Sequence, residues 1–357
     1  MKKHRKVLLG LLALVLLAGC GQVPGTNSGE SASTQRDASE SEAHPSVSLS
    51  MATSGNWSTS FKGKVLQQEL ERLEQETDGA MKIKLYDRNR LGDELRIVSG
   101  VQLGTLDMVF SSPSTQVTAV PEAALLDVPG LFSSLEEWNA FFSGDYQQII
   151  GKYYEDAGLT LLSVFVFSYR QLSSREPVET MADLQGMRVR TIKNKYQEAF
   201  WNHMGAVAVP YDFKELYFCL HEQMADAQEN LLDTMLEENL VEVQNCITFT
   251  NHLPMITVIA MNQEKYQTLT EEERQAVHTF IESLKTQLIE QMPSSEEMLA
   301  ETLNHDYGVR MIQPSQDLTD RIAESRDAVL QLLREDLGED KVNELLEAVQ
   351  AVYQQTE

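Results

Sequence analysis

The chain is 357 residues long and 42% hydrophobic, enough to bury a substantial core or to form two domains. Its 54 Asp and Glu against 29 Lys and Arg leave a formal net charge of −25. That acidity excludes nucleic acid as a partner, because binding a phosphate backbone requires a basic face.

The N-terminus reads as a secretion signal ending in a lipidation site. Lys2, Lys3, Arg5 and Lys6 form a basic start, 7–17 is an apolar run, and Leu17-Ala18-Gly19-Cys20 closes it. The run is shorter than the ~20 residues of a membrane-spanning helix. Residues 1–19 are therefore expected to be removed as a signal peptide, with lipid attached to the sulfur of Cys20. The segment 21–45 is rich in Gly, Ser, Thr, Gln and Glu, and too poor in apolar side chains to offset the entropy of ordering it. Residues 20–45 thus read as a lipidated cysteine and a flexible linker, with a reach of ~25–30 Å. The folded body from residue 46 onward would sit outside the cytoplasm, anchored to the cell membrane on its periplasmic or outer face.

The body alternates strand and helix patterns. Val47–Ala52 is strand-like, and Phe61, Val65, Leu66, Leu70 and Leu73 follow at helical spacing, with Ser58, Thr59 or Ser60 as the N-cap. Strict alternation predicts a strand over 81–85, and apolar spacing a helix over 95–102 stopped by Gly104. A buried strand is expected at 106–110, helices near 134–142 and 145–157, and an apolar strand at 159–167. Further strands read at 187–191, 206–209 and 225–228, with helices at 195–204, from 211 or 212 to 222, and from 231. An apolar, β-branched run marks a strand at 254–261. Beyond it, helices are expected at 271–290, 294–306, 316–335 and 337–355, with one short strand at 309–312.

This alternation predicts an α/β fold of open sheets with helices on both faces and a helical C-terminal region. In such folds ligands bind beyond the carboxyl ends of strands. The polar residues expected there include Ser54 to Trp57, Ser111-Ser112, Tyr169-Arg170, Arg190-Thr191, Phe213 and 228–230. No GxSxG elbow, Walker A loop, GxGxxG or CxxC occurs. His221-Glu222 starts like a zinc-protease helix, but Ala225 stands where the second ligand would be. The expectation is a chain that is not an enzyme, with no catalytic residue, cofactor or metal. Cys219 and Cys246 lie in apolar surroundings that suit buried free thiols, while an oxidising compartment leaves pairing open.

Several segments appear in an order and spacing that carry a family resemblance. They are Leu91-Gly92-Asp93-Glu94, then 101–108, Tyr169-Arg170-Gln171-Leu172 and 183–190, followed by Met204-Gly205-Ala206 with Val209-Pro210. Glu215-Leu216-Tyr217, Asp226-Ala227-Gln228-Glu229-Asn230, Glu242-Val243-Gln244 and 248–252 complete the series. Through these the chain resembles the extracytoplasmic solute-binding proteins of TRAP (tripartite ATP-independent periplasmic) transporters, from about residue 47 to 269. The resemblance implies a two-domain, periplasmic-binding-protein-like (type II-like) fold, joined by crossing strands and a long helix. Domain I would comprise 46–166 and about 254–295, domain II 167–253, and a helical region 296–357 would pack on both.

The resemblance also implies that Arg190 pairs with a ligand carboxylate, a role suited to the planar fork of a guanidinium. Without the motif, Arg190 reads rather as a surface or interdomain salt-bridge residue. Arg188, two residues earlier, would point the same way in an ideal strand. Arg170 would touch the ligand or brace the cleft by pairing with an acid. Asn230 would present an amide and Phe213 a ring, with turn and core roles as their alternatives. Glu94 would contact the ligand or cap the following helix. Asn56, Trp57 and Ser112 are loop-end candidates, and Trp57 fits a core as well as a stacking platform. Two departures bear on pocket shape: Ile192 follows Thr191 where the family commonly has Pro, and Ala227 and Leu231 replace a Gly and a Pro. The function implied is capture of a small organic acid for an ion-gradient-driven TRAP permease, by a monomer tethered to the membrane through lipid. The alternative is a ligand-sensing receptor for a sensor kinase or chemoreceptor.

Overall fold

The computed structural model describes residues 47–356; the expected signal peptide, Cys20 and the expected linker lie outside the described residues. The nine strands among the described residues are β1 (Val47–Ala52), β2 (Met81–Tyr86), β3 (Met108–Ser111), β4 (Leu159–Ser174), β5 (Arg188–Thr191), β6 (Val207–Pro210), β7 (Ala227–Asn230), β8 (Cys246–Asn262) and β9 (Arg310–Ile312). They form one sheet in the order β2-β1-β3-β8-β4-β7-β5-β6, with β9 beside β8. Pairing is parallel within β2-β1-β3 and within β7-β5-β6. Antiparallel β4 and β8, 16 and 17 residues long, run through both halves and tie them together. The sheets expected from the alternation are thus continuous.

These two strands correct the expectation most. The apolar strand at 159–167 continues to Ser174, so Tyr169 and Arg170 lie inside it rather than after it. Likewise β8 begins at Cys246, and Pro254 sits within it. Pro254 is tolerated because it faces Tyr169 where the β4–β8 register shifts after Val166, a position that tolerates the missing N–H. Another correction concerns Pro293. The two helices expected at 271–290 and 294–306 are a single 35-residue helix, Glu271–His305, with Pro293 inside. Leu288, Met292 and Ser295 are buried on both sides of the proline, so one packed face continues across the lost hydrogen bond. The helix expected from residue 211 or 212 begins as a 3-10 turn, Phe213–Glu215, before Leu216–His221.

Local chemistry fixes the elements around the cleft. Ser60 caps the helix Phe61–Glu76, accepting from the Gly63 amide at 2.8 Å. Gly63 is required there: a Cβ would lie 2.2 Å from the Trp57 carbonyl oxygen, so only glycine lets the helix seat against that loop. Asp93 caps the helix Glu94–Gln102, and Gly104 closes its end at φ +71°. One core cluster gathers Trp138, Phe141, Phe142 and Tyr154; another packs the helices Phe61–Glu76 and Glu271–His305 on β1, β3 and β4. Cys219 and Cys246 are buried free thiols.

Candidate ligand-binding site

A cleft opens between the two halves of the sheet, with about 870 Å³ of space within it and at its solvent-open mouth. Asn56, Trp57, Glu94, Ser112, Arg170, Arg190, Phe213 and Asn230 all line it, whereas Arg188 does not, nor do Tyr169, Thr191, Gln228 and Glu229, also expected near strand ends. Their availability differs greatly.

Arg190 lies on β5 and is fully buried. Its Nε and Nη2 donate to the Tyr211 carbonyl oxygen at 3.0 and 2.6 Å. Nη1 has no partner in the protein. Burial pulls Arg190 down to about 10; Glu229 and Glu94 work against that fall and Arg170 adds to it. The guanidinium therefore remains charged at neutral pH, with one N–H group unmet. Arg188 instead forms a half-exposed pair with Asp226 at 2.6 Å.

Arg170 is bound on all sides. Nε and Nη2 grip the Glu229 carboxylate, and Nη2 also reaches the Glu229 carbonyl at 3.0 Å and Asn230 Oδ1 at 3.2 Å. His252 Nε2 lies 3.4 Å from the same carboxylate. Burial would raise Glu229, but Arg170 and His252 overcome it and hold the group down at about 2. Asn230 is also occupied, since its Nδ2 donates to Gln228 Oε1 at 2.9 Å.

At the other wall, Ser54 Oγ donates to Glu94 Oε1 at 2.6 Å, and loss of water raises Glu94 against that bond. The helix cap is Asp93, not Glu94. Asn56 is held by Arg88 and Thr59. Trp57 is 5% exposed, with its ring 4.2 Å from that of Phe110, so most of it belongs to the core. Phe213 is half-buried at the start of its turn, and Ser112 precedes the turn Pro113–Thr115 without making a capping bond.

Sequence reasoning missed several polar groups of this cleft, among them Lys62, Ser114, Asp127, Gln197 and Thr257. Lys62 is buried and bridges the cleft, pairing with Asp233 at 2.9 Å and Glu237 at 3.0 Å. Asp127 accepts on Oδ2 from Ser114 Oγ and from Gln197 Nε2, the latter at 3.1 Å. Asp127 had a signal, an acid set within the apolar run from Ala123 to Val128. Nothing in the local pattern marked Gln197 or Lys62.

Glu237 yields a pH prediction. Burial and Asp233 raise it from 4.5 to about 7, against the pull of Lys62 and Ser60. Its folded value exceeds the unfolded one, so its contribution to stability is complete below the ordinary value and lost as pH rises through about 7. The expected result is that Glu237→Gln flattens the fall in melting temperature between about pH 5 and 8, measured by scanning calorimetry. Parallel curves for the two proteins would contradict it.

A sequence model of the bacterial extracellular solute-binding protein family 7 (DctP) matches residues 54–336. The chain belongs to this family. It is 32% identical over 208 residues to a solute-binding protein of Roseobacter denitrificans, covering 58% of this chain and 64% of that one. It is 31% identical over 206 residues to the 2,3-diketo-L-gulonate-binding periplasmic protein YiaO of Escherichia coli, covering 57% and 63%. The chain thus spans just under two thirds of the length of these curated relatives. The sugar acid binding protein DctPAm of Advenella mimigardefordensis, solved with galactonate, shares the fold at TM-score 0.79 and 21% identity, covering 87% of this chain and 99% of that one. The TRAP-type resemblance read from the motif order is thereby shown. Among the described residues no helix is long and apolar enough to cross a membrane.

Proposed function

We propose that this protein is a receptor that captures a small organic carboxylate between two lobes and delivers it to a membrane permease. The observation that carries this reading is Arg190, a fully buried cation whose Nη1 meets no protein acceptor. A buried unmet donor on a charged group is costly to maintain, and a ligand carboxylate supplies the missing acceptor. The galactonate complex and the diketogulonate-binding relative are consistent with an organic acid here.

In this reading the lobes are 46–166 with about 254–295, and 167–253, with 296–357 packed on them. The strands β4 and β8 and the helix Glu271–His305 connect them. Closure is favoured only by contacts that the ligand makes in the closed form and lacks in the open one. Arg190 anchors the acid, the Arg170–Glu229 pair holds Asn230 in place, and Phe213, Glu94, Ser112, Asn56 and Trp57 shape the rest. The lipobox ending at Cys20 tethers the receptor to the membrane, and the family points to an ion-gradient-driven TRAP permease as the partner.

The test is a thermal-shift screen of the protein, stripped of ligand by unfolding and refolding, against a panel of organic acids. At a hundred times its dissociation constant a true ligand adds about 2.7 kcal/mol, a shift of several degrees. A protein that stays folded and responds to no carboxylate would overturn the reading.

A further inference from the structure

The cleft's unmet hydrogen-bonding capacity is divided by chemical type, and the division narrows the ligand. On the β5 side the unmet atom is a donor, Arg190 Nη1. Across the cleft the unmet side-chain atoms include acceptors. Gln197 Nε2 donates to both Ser114 Oγ, at 2.9 Å, and Asp127 Oδ2, at 3.1 Å. That fixes the amide orientation, since the reverse would set its oxygen against a carboxylate. Gln197 Oε1 is then buried with no donor. Both protein bonds to Asp127 fall on Oδ2, leaving Oδ1 for another donor. Thr257, 1% exposed on the cleft wall, has an Oγ1 that is also without a partner.

Charge points the same way. Among the described cleft residues, Arg170 is neutralised by Glu229 and Lys62 by Asp233 and Glu237. Glu94 and Asp127 have no cationic partner within ion-pair distance, and Arg190 has no acid within it. Burial raises Asp127 against its bonds from Ser114 and Gln197. The wall around Asp127 therefore offers a second carboxylate acceptors and no free cation, and welcomes hydroxyl groups, which donate to Asp127 and Gln197 and can also bond to Thr257. A ligand ammonium suits it less, because the unmet acceptors are spread over a neutral amide and a hydroxyl as well as the acid.

We propose that Asp127 and Gln197 are specificity-determining residues that select a polyhydroxylated monocarboxylate and reject the corresponding dicarboxylate. This rests on the carboxylate reading of Arg190 given above. The site needs no movement of Asp127 to accept a hydroxyl, since Ser114 and Gln197 already hold the carboxyl on one oxygen. Rejection of the diacid follows from facing its second carboxylate with unmet acceptors, Gln197 Oε1 and Asp127 Oδ1, and with no free cation to replace the water it loses.

The experiment is titration calorimetry of the refolded protein with four acids of one chain length: D-galactonate, galactarate, hexanoate and 6-aminohexanoate. Galactonate is expected to bind at least about 100-fold more tightly than each of the others, because unpaired buried polar groups penalise analogues that lack a partner for them. In Asp127→Asn and Gln197→Leu the galactonate-to-galactarate ratio should fall by about tenfold or more, roughly 1.4 kcal/mol of discrimination. A purely structural role would weaken both acids alike and leave that ratio unchanged. Equal or tighter binding of galactarate, hexanoate or 6-aminohexanoate by the unmodified protein overturns the inference while keeping the carboxylate anchor. Failure of all four acids, with none found in the wider thermal screen, overturns the carboxylate reading beneath it. The ligand series on the unmodified protein decides the matter even if a variant folds poorly.

Discussion

Arg190→Met is expected to abolish tight carboxylate binding while leaving the ligand-free protein folded. Removing one partner of a desolvated charge pair costs about 2–5 kcal/mol, so the dissociation constant should rise at least ~30-fold, and by more than 1,000-fold at the upper end. The effect on the empty protein is small by comparison. Arg190 is fully buried, bonds only to the Tyr211 carbonyl, and keeps Nη1 unmet. Replacing it with an apolar side chain of similar volume removes a buried charge but takes the donors from the Tyr211 carbonyl, so the two effects offset and the net change is expected to be small. Calorimetric titration and the melting temperature of the empty protein check both halves. Unchanged affinity would remove Arg190 as the anchor. A large loss of stability would mark it as a structural residue instead. Lysine is not an equivalent replacement, because its point charge lacks the fork that presents Nη1 while Nε and Nη2 hold Tyr211.

The second large effect is on stability. Glu229→Ala is expected to destabilise the protein by about 3–5 kcal/mol, because it leaves Arg170 buried without its counter-charge. For a chain of this size that is a fall in melting temperature of roughly 5–10 °C. The double change Arg170→Met with Glu229→Leu should recover most of it, since the penalty lies in the orphaned charge. No recovery would show that the two residues contribute independently. The same pair sets an acid limit. Glu229 sits at about 2, below its ordinary value of 4.5. Its contribution is complete above the ordinary value and is lost as pH falls through about 2. The Glu237 contribution has the opposite sign and a window near neutrality, so single variants separate the two on one pH series.

The two predictions also separate two kinds of arginine that look alike in sequence. Arg170 is held by Glu229 and Asn230 through Nε and Nη2 and by the Met255 sulfur through Nη1, whereas Arg190 keeps an unmet N–H. Sequence left Arg170 open between touching the ligand and bracing the cleft. The structure shows the bracing pair, formed because β4 and β7 run side by side with Leu172 opposite Glu229. That proximity is a property of strand pairing and has no trace in the local pattern around either residue.

Much of the fold was legible because it rests on local physics. The period of apolar residues announced the helices Phe61–Glu76, Glu94–Gln102, Gln316–Leu337 and Glu339–Thr356, and Ser60 was among the caps expected for the first of them. The motif order identified the family and named cleft residues that do converge. Where sequence failed, distant packing overrode a local signal. Pro293 reads as a helix stop, yet a continuous buried face carries the helix through it. Pro254 reads as a strand start, yet a register shift absorbs it.

What the sequence determined by itself is therefore most of the elements, the family, and many of the residue types gathered at the cleft, because periodicity, capping and motif spacing act over a few residues. What only the tertiary structure decided is which polar groups are spent and which are free. Glu229 and Asn230 are spent on Arg170, and Lys62 on Asp233 and Glu237, partners as distant as 175 residues in the chain. Arg190 Nη1, Gln197 Oε1 and Thr257 Oγ1 remain unmet. Satisfaction of a buried hydrogen-bonding group depends on every neighbour within about 3.5 Å, and those neighbours are assembled by the sheet rather than by the sequence around the residue.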